Sequence, residues 1–588
     1  MPDDGLQVTA AGRGFSVSWK GQSLLSQRDP VSQGEKLAGS AEVRERTLWL
    51  CPSPLYGYGL SRLLERLASC DENSAVLCVE TNPALFSFSI LNMDKIPAGN
   101  PRLALCGERE PEAVCGFVRR QWGSRRFRRV EVLRLSGGWR LDEAGYDAIA
   151  AALRQGIALD WGNALTLSRL GRRFALNTVR NLALIPRFPP LSRLSYGGDP
   201  VLVTGAGPSL DPFLERLLDH FGEKVLVPSS RPFRIVSVDT SLSVLAARGI
   251  KPDLVIALES QHWNLRDFIG EGGQGIPLAM DLSALPATTD VLGGEVFLFF
   301  TPWAEIRFLK RIEAAFPISQ FPPLASVGLS AVAIALSLGK GPVICTGIDF
   351  SFNPDTYHAR SSPGHLERLK TQNRFHSLPN TAAAIRPGVQ RVLAKNGIPV
   401  LSDGAMRAYR DLFERNFSGE KRLFDTESSG LPLGIPVLSG TEALKTLDAA
   451  TAADTTAATN AVTTTDTATV ADAATVVDTV TVTDVAMETN AITKTNVATA
   501  TSAFIERELS ALRALLSILT GERQGTGEEL EALLDFCDYL WAYFPDCAGA
   551  GGKRPPAADI SFLKRVRTEI GPFLSLFDKM SRFQNMSQ

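Results

Sequence analysis

VLVTGAGPSLDPFLERL, residues 201–217, is the stretch that decides the fold. Val201 to Thr204 reads as a strand, Gly205-Ala206-Gly207-Pro208-Ser209 as a tight turn, and Asp211-Pro212 as the start of a helix, with a capping side chain and a proline in the first turn. Strand, glycine turn and helix in that order open a doubly wound α/β domain, in which ligands lie beyond the carboxyl ends of the parallel strands. Glycines let backbone approach a ligand closely, and the helix end and Ser209 offer N–H and O–H donors to a phosphate. A ligand-free strand–helix turn is the alternative, because G-x-G is common.

Outward from this unit, apolar runs alternate with helical patterns over residues 198–425: RIVSVD, DLVIALE, PLAM followed by Asp281, EVFLFF, PVICTG and IPVLSD. Strands rich in Val, Ile and Leu without polar alternation require a parallel sheet covered on both faces. Their ends carry Thr204, Asp239, Glu259, Asp281, Asp349 and Asp403, and polar residues recurring at strand after strand predict a shared site. Helix capping is the competing reading, above all for Asp239-Thr240-Ser241.

The flanks are different material. Residues 1–150 read as a small β unit, with Phe15 to Trp19 alternating, followed by an α/β half. That half has only Gly57 and Gly59 in its loop and Glu80 after the next strand, the outline of a degenerate nucleotide-binding unit. Residues 151–197 read as a basic helical bridge, 198–440 as the central α/β domain, and 503–588 as a helical module opened by the capping box Thr526-Gly-Glu-Glu529. Between them, residues 448–502 form a tether: 451–500 hold 17 Thr and 13 Ala with no Gly, Pro or aromatic residue, which cannot build a core.

Composition removes whole classes of function. A chain of 588 residues needs several cores. Net charge is −2 with both signs mixed, so no nucleic acid is implied. No apolar run reaches the roughly 18–20 residues of a membrane span. MPDDGLQVTAAGRG lacks a secretory segment. The eight cysteines show no CxxC pair, which argues against a disulfide framework or zinc site and for a reducing, cytoplasmic location.

VTGAGPSL, SVDTSLSVLAARGIKPDLVIALES, FPPLASVGLSAVAIALSLGKGPVICTGIDF and YHARSSPGH resemble the motility-associated factor (Maf) glycosyltransferases, bacterial proteins of a 6-hydroxymethylpterin pyrophosphokinase-like superfamily. The resemblance covers most of residues 1–440, including SQRDP and ETNPALF. GAGPSL and TGIDF also resemble the GNGPSL and SGIDF segments of bacterial sialyltransferases, with Ala206 in place of the family asparagine. The resemblance implies an α/β protein with a central doubly wound, Rossmann-like, sialyltransferase-type domain, an N-terminal β plus α/β domain and a C-terminal helical module. It further implies an inverting transfer of a nonulosonic acid from a CMP-linked donor to Ser or Thr hydroxyls of flagellin.

Such chemistry needs donors for the departing phosphate and a base for the acceptor hydroxyl. Gly205, Gly207, Pro208, Ser209, Ser326 and Tyr357 are the expected nucleotide contacts, and Asp239, Glu259 and Asp349 the expected contacts to ribose or sugar hydroxyls. The five histidines are His220, His262, His358, His365 and His376. His376, in FHSLPNT, matches the sialyltransferase base, and His358, in YHARSSPGH, is its rival; a phosphate contact is the alternative role for both. No cofactor or metal site is firmly implied, although the acids leave magnesium (Mg) open. Two further readings stand: diphosphate transfer from ATP to a hydroxymethylpterin, and a non-catalytic flagellin-binding protein, which Ala206 would favour.

Overall fold

The structure is a computed structural model that describes residues 5–93, 99–123, 125–375, 377, 381–448, 494–549 and 553–586. It divides into two compact units, Met1–Arg169 with Ala542–Pro555, and Leu170–Trp541 with Pro556–Gln588.

In the first unit, β1 (Leu6–Ala11), β2 (Gly14–Trp19) and β3 (Gln22–Ser23) form an antiparallel sheet whose second turn is Lys20-Gly21, both at positive φ. β4 (Thr47–Pro52), β5 (Ala75–Val79), β6 (Leu103–Cys106) and β7 (Arg129–Val132) form a parallel sheet in the order β6-β5-β4-β7. A Cβ on Gly59 would meet the Gly34 carbonyl at 2.3 Å, so this glycine is needed where helix Leu60–Cys70 starts against helix Pro30–Ser40.

The second unit holds a parallel sheet built from β8 (Val201–Thr204), β9 (Arg234–Val238), β10 (Leu254–Ala257), β11 (Ile276–Asp281), β12 (Gly293–Phe300), β13 (Ser319–Gln320) and β14 (Val343–Thr346). Alternate residues of the strands feed two cores. Val201, Val203, Val236 and Val343 pack with helix Val327–Leu338, while Leu202, Ile235 and Ile344 pack with helices Leu210–Phe221 and Asp239–Ala246. Burial on both faces explains the unbroken apolar runs.

One expected strand leaves this sheet. IPVLSD becomes β16 (Pro399–Ser402), paired antiparallel with β15 (Gln390–Leu393) in a hairpin, and Asp403 caps helix Gly404–Phe417 through the Met406 N–H at 2.8 Å. Its place is taken by β17 (Leu423–Thr426) and β18 (Val437–Leu438), giving the order β13-β12-β11-β10-β9-β8-β14-β17-β18. Helix Gly440–Asp448 then packs Ala443, Leu444 and Leu447 into the sheet's core, which carries this layer past residue 440. From β8 the chain steps out to β13, then returns to lay β14 on the other side of β8. That reversal is the switch point at which open α/β sheets bind ligands.

Of the expected tether, residues 449–493 lie outside the described residues, and helix Lys494–Thr520 begins inside its last part. The C-terminal helices dock on helix Arg307–Ala315. Glu508 forms a two-pronged ion pair with Arg311 at 2.9 and 3.0 Å, and Asp538 accepts the Arg307 and Phe308 N–H groups at that helix's start. The Thr526 hydroxyl caps its helix by accepting the Glu529 N–H at 3.1 Å, as the capping box predicts. All eight cysteines are free thiols. Among the described residues no helix is long and apolar enough to cross a membrane.

Candidate functional site

Two glycine-bearing loops meet at the switch point, Gly205–Ser209 after β8 and Gly347–Phe350 after β14. Their backbones bond directly: Gly205 N–H donates to Thr346 at 2.8 Å and Gly207 N–H to Gly347 at 2.7 Å. A Cβ on Gly205 would meet the Gly347 carbonyl at 2.3 Å, and one on Gly207 would meet Asp349 Oδ2 at 2.5 Å. The glycines are thus consumed by loop-to-loop packing.

Ser209 is consumed too. Its N–H donates to Asp349 Oδ2 at 2.8 Å, its hydroxyl donates to Asp349 Oδ1, and that hydroxyl accepts the Gly347 N–H at 3.1 Å. Asp349 is buried, and burial raises its pKa against the pull of Ser209 and Lys395. Lys395, on the hairpin, ion-pairs with buried Asp425 and donates to the Thr426 carbonyl at 3.0 Å. The Ser209 donors, expected to serve a phosphate, and the Asp349 oxygens, expected to serve a sugar, bond each other in this structure. The helix end is occupied by the protein's own carboxylate. The Ala206 N–H is the loop amide left without a partner among the described residues. Gly207→Ala should therefore lower stability by about 1–3 kcal/mol through overpacking, seen as a fall in melting temperature of several degrees. An unchanged melting temperature would show that the loops can part freely.

The segment after β14 folds back over this pair of loops. Ala359 N–H donates to the Ala206 carbonyl at 2.8 Å, which sets His358 and Tyr357 beside the glycine loop. The Arg360 N–H donates to Asp211 at 2.7 Å, and the Ser243 hydroxyl to the Ser361 carbonyl at 3.0 Å. Tyr357 lies between Phe352, 4.5 Å away, and the Arg368 guanidinium, 3.9 Å from its ring. Burial first, then Arg368 and Arg266, push His358 down to about 4. It is neutral at neutral pH, a hydrogen-bonding base rather than a cation, and its Nδ1 is buried without a hydrogen-bond partner. His376 lies outside the described residues. Ser326 precedes helix Val327–Leu338, whose Gly328 faces Ile348 of the second loop.

Acids line the other side, beyond β9 and β10. Asp239 is buried, accepts the Thr240 N–H at 2.8 Å and the Asn264 Nδ2 at 2.6 Å, and is raised by burial. Glu259 accepts the Gln261 N–H at 2.9 Å. Burial, then the charge of Asp239, push Asp267 up to about 7. Among the described residues no three His, Cys, Asp or Glu side chains are grouped to hold a metal ion. Arg266, Arg368, Asn264, Asp267 and Lys395 were not legible as site residues. The one available signal was the polar QHWNLRD directly after the strand ending at Glu259.

Residues 174–355 match the family described as 6-hydroxymethylpterin diphosphokinase MptE-like. The chain is 27% identical over 587 residues to an uncharacterized protein of Treponema pallidum (strain Nichols), covering 96% of this chain and 94% of that one. The solved structure of a Maf glycosyltransferase from Magnetospirillum magneticum AMB-1 shares its fold at a TM-score of 0.50 and 15% identity, over 99% of this chain and 92% of that one. The chain is thus an α/β protein whose central residues 174–355 are similar to the MptE-like family. Its resemblance to the Maf glycosyltransferases, read first in the sequence motifs, is matched at the level of the fold.

Proposed function

We propose that this chain is a motility-associated glycosyltransferase acting in the cytoplasm, moving a nonulosonic, sialic-like acid from a CMP-linked donor to Ser or Thr hydroxyls of flagellin. The observation that carries the reading is the side-chain cluster at the carboxyl ends of the parallel strands, where neutral His358 stands beside the glycine loop with Arg266 and Arg368 acting on it. The CMP of the donor departs as a phosphate monoester when the sugar is transferred, and the two guanidiniums supply positive charge where negative charge grows. His358 takes the proton of the attacking hydroxyl, giving a single, inverting displacement. Ser209, Asp349 and Lys395 hold the loops in place. His376 remains the alternative base on its motif.

The MptE-like match favours a second reading, diphosphate transfer from ATP to a hydroxymethylpterin. Thermal shift separates the two, because a ligand that binds only the folded state raises the melting temperature according to its concentration over its Kd. CMP is expected to raise it without magnesium. A shift with ATP, magnesium and a pterin, and none with CMP, would replace this reading with the second. CMP binding without transfer would mark a non-catalytic flagellin-binding protein.

A further inference from the structure

The short 3₁₀ segment His262–Phe268 follows β10 and packs on the start of helix Asp239–Ala246. In a 3₁₀ turn residues i and i+3 eclipse, so Asn264 and Asp267 present their side chains on one face. Both are buried, at 3% and 7% exposure. Asn264 donates its Nδ2 to Asp239 Oδ2 at 2.6 Å. The reverse orientation would set an amide oxygen against a carboxylate oxygen, so the bond fixes Asn264 Oδ1 turned away from Asp239. That Oδ1 has no hydrogen-bond partner, and Asp267 Oδ1 makes no hydrogen bond of full geometry, although the Asn264 amide and the Arg266 guanidinium, whose Nε is 3.6 Å away, lie near enough to lower the Asp267 pKa. Two buried acceptors without a full hydrogen bond on one face are a costly arrangement unless a ligand brings donors.

Two neighbouring O–H groups of one ligand offer the number of donors that the pair of acceptors needs. We propose that Asn264 and Asp267 form a diol-recognition subsite at the strand ends, accepting hydrogen bonds from two neighbouring hydroxyls of the bound ligand. The inference rests on the CMP-donor reading, and such hydroxyls have two sources there: the ribose of the nucleotide and the polyol chain of the sugar.

Calorimetric titration of the full chain with CMP, 2′-deoxy-CMP and a CMP-linked nonulosonate tests it, on wild type, Asn264→Ala and Asp267→Asn, with melting temperatures reporting whether each variant folds. If the ribose is read, wild type prefers CMP over 2′-deoxy-CMP by roughly tenfold, and each variant loses that preference. If the sugar is read, the variants bind CMP as wild type does but hold the conjugate roughly tenfold more weakly. Folded variants that bind all three ligands as wild type does would overturn the subsite. So would binding that vanishes in EDTA and returns with magnesium, since the acceptors would then be metal ligands. A wild-type chain that binds neither CMP nor the conjugate would instead sink the CMP-donor reading, and the subsite with it.

Discussion

His358→Ala is expected to lower turnover by roughly 10²–10⁴-fold while CMP binding is largely kept. The imidazole is buried and neutral, with its Nδ1 unpaired, so truncation removes a proton acceptor and leaves the Arg266 and Arg368 charges in place. A phosphate contact would behave differently, because its loss weakens CMP binding in step with turnover. The pH profile adds an independent reading. A base must be deprotonated to act, so activity should hold down to mildly acidic pH and fall as pH drops through about 4. Arg368→Gln removes one of the cations that disfavour imidazolium and should move that limb upward. Near wild-type turnover in His358→Ala would pass the base role to His376.

Glu508→Ala is expected to cost about 3–5 kcal/mol of stability, the usual penalty for stripping one partner from a buried ion pair. The Glu508 side chain is fully buried and that of Arg311 is 15% exposed, so the variant strands a guanidinium against the Phe536 ring, 3.7 Å away. Arg311 also donates to the Phe536 carbonyl at 3.0 Å, which makes this residue the pin between helix Arg307–Ala315 and the C-terminal helices. Urea unfolding should show a lower midpoint, and limited proteolysis should release the C-terminal helices early. A midpoint unchanged from wild type would mean that the apolar contacts, such as Phe308 on Tyr539 at 4.3 Å, hold the module without the pair.

The parallel sheet was legible because burial on both faces removes polar alternation, a pattern visible in VLVTG, RIVSVD and PVICTG without any partner. IPVLSD carried the same local pattern, yet a hairpin pairing claimed it. Ile398 and Leu393 are 57% and 66% exposed there, which no local signal could reveal. Leu423–Thr426 was missed because its run is short and ends on Asp425, whose burial is offset by Lys395, thirty residues earlier in the chain. The candidate site divides in the same way. Gly205, Gly207 and Asp349 were read as ligand contacts at strand ends; the structure packs them against one another, locking two loops together. Their reciprocal fit is a tertiary fact, since only the fold brings residue 207 within reach of 349. Asn264 and Asp267 escaped notice because a polar 3₁₀ turn looks like any loop until its burial is known.

The most direct test of the account is the intact mass of flagellin after incubation with the purified chain and a CMP-linked nonulosonate. The account predicts flagellin heavier by whole nonulosonate residues, with CMP released in equal amount, and no such gain with His358→Ala. Unchanged flagellin, together with diphosphorylation of a hydroxymethylpterin when ATP and magnesium are supplied, would contradict it.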